Sequence, residues 1–527
     1  MAQLKAGSTV GGKRILDEDH LADDVSQGEV HGLRLNADNK LEYFNGTEWV
    51  EVKGGGYPVN IVKNVNAKGG DAKVLLTWED PEDVVVDGHL VAEWNHTRVM
   101  RKEGSYPLHE EDGELVVSNG VRNAYKDTPY EDTGLENDKT YYYSLFPVTT
   151  DEVVTVSELS RAEATPTETK VYGLEWNQTL DTYQRLDDAV GMVAITQGQN
   201  NFSNVYPWSD MKRCNLDDNG NILAYFGDPT YKDDGSNGQV MVQIPKFWYK
   251  SEMVNENGNK KYRWWISDNE IDGFKLHPAF IRNGVEKDVI YIGAYEGYVS
   301  GGMLHSRAGV TPTASRTIVQ FRQDAQARGA IWHQQDFLTT CAIQLLYLIE
   351  YAHFDSQTKI GQGITNDTVF HQTGETAQYG NQSFGNQNNS KIAMSYRGIE
   401  NLYGNYWQWI DGININNHRA YIADHNFKSN KFDGHYRQVG FTNATSNGYV
   451  KDIGWASQDD FMFLAIDSDG SDSSYLHDYY RQDSGARISR LGGSRLSGSR
   501  AGAFCWGLTY MSAGSASHFV AALLCVP

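Results

Sequence analysis

A chain of 527 residues is too long for one ordinary domain, and its 40% hydrophobic and 12% aromatic content is enough to fill real cores. Its 46 basic and 68 acidic residues give a formal charge of −22, which repels phosphate backbones and anionic lipid surfaces and argues against nucleic-acid partners. No run approaches the roughly 20 apolar residues needed to span a bilayer. The opening MAQLKAGSTVGGK has no apolar signal core, so synthesis in a cytosol without membrane insertion is expected.

In chain order, residues 1–56 are short of apolar side chains and end in Gly54-Gly55-Gly56. Within them, LRLNADNKLEYFNGTEWVEV reads as two alternating strands around Asn36-Ala37-Asp38-Asn39, with a further turn at Asn45-Gly46. Such a β unit is too small for a core of its own and calls for partners. It resembles the N-terminal pieces of phage tail proteins that attach the chain to the tail or hold copies together. Residues 57–168 show alternation punctuated by turn residues at sandwich spacing, with strands expected at Val62–Val65, Lys73–Trp78, Thr97–Arg101, Tyr130–Leu135 and Lys139–Val148. The pattern, with Trp78 in a core position, resembles a fibronectin type III module, a β-sandwich that usually serves as a spacer.

Residues 169–527 are expected to form one large α+β domain. Helices are expected at Thr317–Arg328 and Gln334–Phe354. The second places Phe337, Cys341, Leu345 and Ile349 on one broad apolar face, so it should be buried against a sheet. Gly361–Asn389 and Asp411–Asn447 read as long loops, which in a compact domain are functional or supported by neighbours. Gly404-Asn405-Tyr406-Trp407-Gln408-Trp409 places two Trp at i and i+2, on one face of a strand, as a core wall. This run resembles the signature of the formylglycine-generating-enzyme branch of C-type-lectin folds. That family's oxidase uses two cysteines after a Gly-Gly-Ser turn, and the matching positions here are Ser497 and Gly502, with Cys505 off register. A copper or thiol redox site is therefore not expected.

The stretch from Arg490 to Pro527 carries a Gly-Gly-Ser turn and then small residues interleaved with unrelated side chains. These show neither a 3.6-residue period nor alternation, which suits an irregular display surface rather than a core element. The segment resembles the variable region of diversity-generating retroelement target proteins of the major tropism determinant type, which have a C-type-lectin-like fold and bind host surfaces. Aligned on Gly492-Gly493, the resemblance implies ligand-binding positions at Ser494, Leu496, Ser497, Arg500, Gly507, Thr509, Tyr510, Gly514, Ala516 and His518, in a frame of Gly498-Ser499, Ala501-Gly502, Ser515, Ala521 and Cys525. Arg495 replaces the family's aromatic after the turn and joins the expected site. Burying Arg495, Arg500 and His518 without partners would cost several kcal/mol, so they and Tyr510 are expected at the surface.

Other chemistry is sparse. Cys214, Cys341, Cys505 and Cys525 are far apart and make no C-x-x-C pair, so buried free thiols are expected rather than a zinc or redox site. Asp467-Ser468-Asp469-Gly470-Ser471-Asp472 begins like a calcium loop, with Asp478 at the twelfth position, but its flanks read as strands and a solvated loop is favoured. His333, His353, His371 and His477 lack metal spacing. The resulting expectation is a multidomain phage or prophage tail receptor-binding protein with no enzyme activity, no cofactor and no metal. It would sit in the virion tail as a homo-oligomer, most simply a homotrimer, and bind a host bacterial surface glycan or protein, with other tail proteins held through its N-terminus. A structural tail or decoration protein and a cell-envelope glycan hydrolase are the alternatives.

Overall fold

The computed structural model describes residues 57–527 apart from 87, 88 and 199, together with five short strands among residues 1–56. Of the latter, Leu33–Leu35, Leu41–Phe44 and Trp49–Glu51 pair in order as an antiparallel sheet. The turns expected at 36–39 and 45–46 lie outside the described residues. The chain is mostly β-sheet with few helices and divides into two compact units, Met1–Thr169 and Lys170–Pro527.

In the first unit, alternating residues of β1 (Lys63–Gly70), β2 (Lys73–Glu79) and β5 (Tyr130–Thr133) form one antiparallel sheet, in the order β5-β2-β1. A second sheet has the order β4-β3-β6-β7, from β3 (Trp94–Glu103), β4 (Glu114–Asn119), β6 (Tyr141–Thr149) and β7 (Arg161–Ala164). Val74, Leu76 and Trp78 of β2 meet Val99, Tyr143 and Leu145 in a shared core. Asp80 accepts hydrogen bonds from Trp78 Nε1 at 2.9 Å and Thr97 Oγ1 at 2.6 Å, so the indole is buried without a lost donor. The Tyr141 hydroxyl accepts from the Glu136 amide at 3.0 Å and pins the corner entering β6.

The second unit contains three larger sheets. A five-stranded antiparallel sheet is built on β8 (Val171–Asn177), β9 (Thr182–Asp187), β13 (Trp248–Glu256) and β14 (Asn259–Ser267). A six-stranded sheet has the order β11-β10-β12-β15-β23-β16, from β10 (Arg213–Leu216), β11 (Ile222–Tyr225), β12 (Gln239–Pro245), β15 (Val289–Glu296), β16 (Trp332–Gln334) and β23 (Ala522–Cys525). The third sheet has eight strands. Its centre runs β18-β17-β20-β21-β19, from β17 (Trp407–Asn416), β18 (Arg419–Ile422), β19 (Tyr479–Gln482), β20 (Ala486–Gly492) and β21 (Gly502–Tyr510); β22 (Phe519–Val520) pairs in parallel with β17.

Two expected helices form, with shifted ends. α1 (Ile318–Gln326) starts at a capping box between Thr317 and Gln320. α2 (Phe337–Tyr351) starts three residues later than expected, because Trp332–Gln334 leave the helical path to pair with β23 as an edge strand. Asp336 then caps the helix by accepting from the Thr339 amide at 2.8 Å. Every residue of α2 is buried, so it is enclosed rather than laid on one sheet. Its one charged residue, Glu350, is held by Arg397 at 2.7 Å. Two further expectations are corrected. Residues 411–416 and 419–422, read as loop, are strand, because Asn414, Ile415 and Asn416 pair with β18 on one side and β20 on the other. The 502–510 stretch is a strand with a buried course, paired with β20 through two register shifts. Phe504, Trp506 and Leu508 enter one core and Cys505 the other, so apolar residues occupy both faces and no polar alternation is left to read.

Candidate binding face

Two turns hold the loops that follow β20. Gly492 and Gly493 have φ of 94° and 83°, and a Cβ on Gly493 would lie 2.8 Å from that of Ala501, so the chain reverses there only with glycine. The second anchor is Asn405, itself left-handed at φ 48°. Its Nδ2 donates to Glu296 Oε2 at 2.6 Å and to the His371 carbonyl at 3.2 Å, and its Oδ1 accepts from the His371 amide at 3.1 Å. The Asn405 carbonyl accepts from the Arg495 amide at 3.0 Å. One asparagine thus ties the 361–389 loop to the loop after the Gly-Gly turn. Burial lifts the Glu296 carboxyl to about 8, against the lowering effect of the Asn405 and Asn401 amides.

The expected site residues fall into three groups. Leu496, 66% exposed, and Arg500, whose guanidinium lies 5.1 Å from the Tyr479 ring, stand at the surface of the 494–500 loop, with Ser497 half-buried below them. A second group is half-buried. The Arg495 guanidinium lies 4.2 Å from the Phe370 ring, which stacks on Tyr406 at 4.2 Å, and its Nη1 donates to the Asp367 carbonyl at 2.8 Å. Tyr510 meets the ring of Phe519 edge-on at 4.6 Å, and His518 packs against the same ring at 4.5 Å. Thr509, Gly514 and Ala516 are also half-buried, and a Cβ at Gly514 would press on Tyr510 at 2.8 Å. The expectation of full surface exposure is therefore corrected for Arg495, Tyr510 and His518, because aromatic neighbours cover one side of each.

The third group is closed off. Ser494 is buried beneath the turn, its amide donating to Ser497 Oγ at 2.9 Å. Gly507 sits opposite Arg490 on one neighbouring strand and Arg481 on the other. A Cβ there would be 2.6 Å from Arg490 Nε and 3.2 Å from the Trp407 ring, so Gly507 is a space-maker and not a contact residue.

Sequence reasoning did not find Arg490, which is 5% exposed and lies over the rings of Trp407, Tyr510 and Phe519 at 4.2, 4.6 and 4.7 Å. It also missed Asp367, Phe370 and His371, which the 361–389 loop brings to Arg495. The signal for the latter was present only as an unusually long loop. Trp407 and Trp409 are both buried, and they share the face that carries Arg490 and Gly507.

The calcium-like run does not close into a site. Asp478 turns inward, accepts from the Phe504 amide at 2.6 Å, and is held well above the ordinary carboxylate range by burial. Among the described residues no group of three or more His, Cys, Asp or Glu is arranged to hold a metal ion. All four cysteines are buried thiols.

Fold and site together define a mostly-β protein whose loop-built face is carried by buried strands. No family profile and no curated protein matches the sequence. Among solved structures, the chain is similar to "Major Tropism Determinant U1 Variant" over 94% of each chain, at 10% identity and a TM-score of 0.24. It is also similar to Streptomyces avermitilis α-L-rhamnosidase over 45% of this chain and 23% of that one, at 10% identity and a TM-score of 0.16.

Proposed function

We propose that this chain is a phage or prophage tail receptor-binding protein without enzyme activity, whose C-terminal unit is a C-type-lectin-like head that binds a host surface glycan or protein. The observation that carries this reading is the set of chemically unrelated side chains at Leu496, Arg500 and His518, held in loops between buried strands, and at Tyr510, the last residue of β21. Recognition over such a face rests on rigid aromatic and arginine contacts rather than a deep pocket. The three- and four-stranded antiparallel sheets of residues 63–164, which share one core, and the Tyr141 corner support a fibronectin-like spacer. The N-terminal residues attach the protein to the tail and gather copies, most simply three. Several weak sites on one particle then act together by avidity.

Attachment of purified protein to host cells tests the proposal. Replacement of Leu496 and Arg500 with Ala should abolish attachment while the particle assembles. Lost assembly would favour the structural alternative, and turnover of envelope glycan by the pure protein would favour the hydrolase. A near-copy of the 490–527 coding stretch beside a reverse transcriptase gene would establish retroelement diversification, and its absence would remove that part.

A further inference from the structure

Among the described residues, the buried arginines are matched by acceptors, with one exception. Arg397 pairs with Glu350 and Arg282 with Asp336, each at 2.7 Å. The fork of Arg213 is spent on Gly398, Tyr295, Ala377 and Thr376. Arg490 is as buried as these, yet its guanidinium makes one long hydrogen bond, from Nη2 to Thr509 Oγ1 at 3.3 Å. Its Nε is sealed from solvent without a partner, whereas the Nη1 end is not sealed and makes no hydrogen bond. No carboxylate of the described residues pairs with it. A buried charge stabilised by ring faces alone leaves its in-plane donors unspent, and those donors are what a carboxylate would take.

The surroundings repeat the pattern. Arg481 and Arg500 both lie over Tyr479 at 5.1 Å, and Arg495 lies over Phe370; none of the three is ion-paired to a carboxylate. On the 361–389 loop, Asp367 and Glu375 both face His371, at 3.3 and 2.6 Å. In a chain of net charge −22, four arginines of this one unit are thus stacked on rings and left without counter-charges. Burial pulls Arg490 down to about 10, partly offset by Tyr510 and Cys505, and burial together with Arg490 and Arg495 holds His518 below its ordinary value.

We propose that Arg490 is an anion-receiving group beneath the 494–518 face, taking a carboxylate through its unspent Nη1 beside Tyr510 and Thr509. That this carboxylate belongs to the surface ligand rests on the receptor-binding reading; the anion site itself does not. Two sources share the chemistry, an acidic sugar and an Asp or Glu side chain of a surface protein.

The test uses the full chain with nitrogen-15 in its arginines. Acetate is titrated against chloride at constant ionic strength, following the Arg490 Nε resonance and the His518 titration by NMR. The expected result is a saturable, acetate-specific shift of Arg490 with a rise in the His518 pKa. Arg490→Met should lose the response, and Arg490→Lys, which keeps the charge but not the fork, should weaken it by about tenfold. Glucuronic acid against glucose, and N-acetylglutamate amide against N-acetylglutamine amide, separate the two sources by whichever acid binds more tightly. No saturation by any of these acids, or saturation that persists in Arg490→Met, overturns the proposal. Because the wild-type resonance reports on Arg490 itself, the test stands even if a variant fails to fold. Acetate seated at Arg490 in a protein that attaches to no host cell would sink the receptor-binding reading and leave the anion site. Host attachment unchanged in a folded Arg490→Met variant would do the reverse for the site's role.

Discussion

Gly507→Ala is the sharpest perturbation of this face. A methyl group at 507 would lie 2.6 Å from Arg490 Nε, 2.9 Å from its Cγ and 3.2 Å from the Trp407 ring. The first two distances are too short to be absorbed, and Trp407, 4% exposed, has no room to retreat. Overpacking of this kind costs about 1–3 kcal/mol. The guanidinium must also leave some of its three rings, and a desolvated cation–π contact is worth about 2 kcal/mol. The sum is roughly 3–5 kcal/mol, read as a fall in the denaturant midpoint of the C-terminal unit. The cause is isolated by a double-mutant cycle. In an Arg490→Ala background the added methyl enters vacated space, so Gly507→Ala should then cost less than about 1 kcal/mol, a coupling of about 2–4 kcal/mol. A Gly507→Ala protein within about 0.5 kcal/mol of wild type, or equal costs in the two backgrounds, would refute the argument that Gly507 exists to admit Arg490.

Other outcomes follow from the same geometry. Trp409→Ala should destabilise by about 3–5 kcal/mol in thermal or denaturant unfolding, since the side chain is fully buried against Phe519 at 4.8 Å. Leu496→Ala with Arg500→Ala should change stability by less than about 0.5 kcal/mol each, because both protrude from the loop. Tyr510→Ala should destabilise measurably more than either, since it covers Phe519 and Arg490. Glu296 has a folded pKa of about 8, above its ordinary 4.5, so its contribution to stability is full below about pH 4.5 and is lost as pH rises through 8. The loss is on the order of 5 kcal/mol, and Glu296→Gln should remove that slope from a stability profile measured between pH 5 and 8.

The readable parts of this fold were those set by local pattern. The i, i+2 tryptophans, the apolar run of α2 and the alternating strands of the first unit each announce themselves within a few residues. The unreadable parts depend on register. Arg490, Gly507 and Arg481 form a row across three strands from sequence-distant segments, and nothing local tells a stacked arginine from a surface one. The 502–510 strand looked irregular because the small residue Gly507 makes room for a neighbour's side chain and the alternate positions pack a second core. Asn405 was visible in its motif, but its grip on the His371 backbone belongs to a loop whose path the sequence does not dictate.

The placement of β20, β21 and β23 bears on how this protein tolerates change. β20 and β21 are neighbours in the middle of the eight-stranded sheet, and β23 lies inside the six-stranded sheet between β15 and β16. The two loops of the candidate face are spliced between these interior strands, so the C-terminal unit cannot close its sheets until residues 522–525 have been made and threaded beside Val289–Glu296. A frameshift or stop arising anywhere in the loops would strip the centre from one or both sheets and leave no folded unit. Side-chain substitutions at exposed loop positions such as Leu496 and Arg500 pass, whereas errors of reading frame are eliminated by the fold itself, so every C-terminal unit that folds carries an intact face.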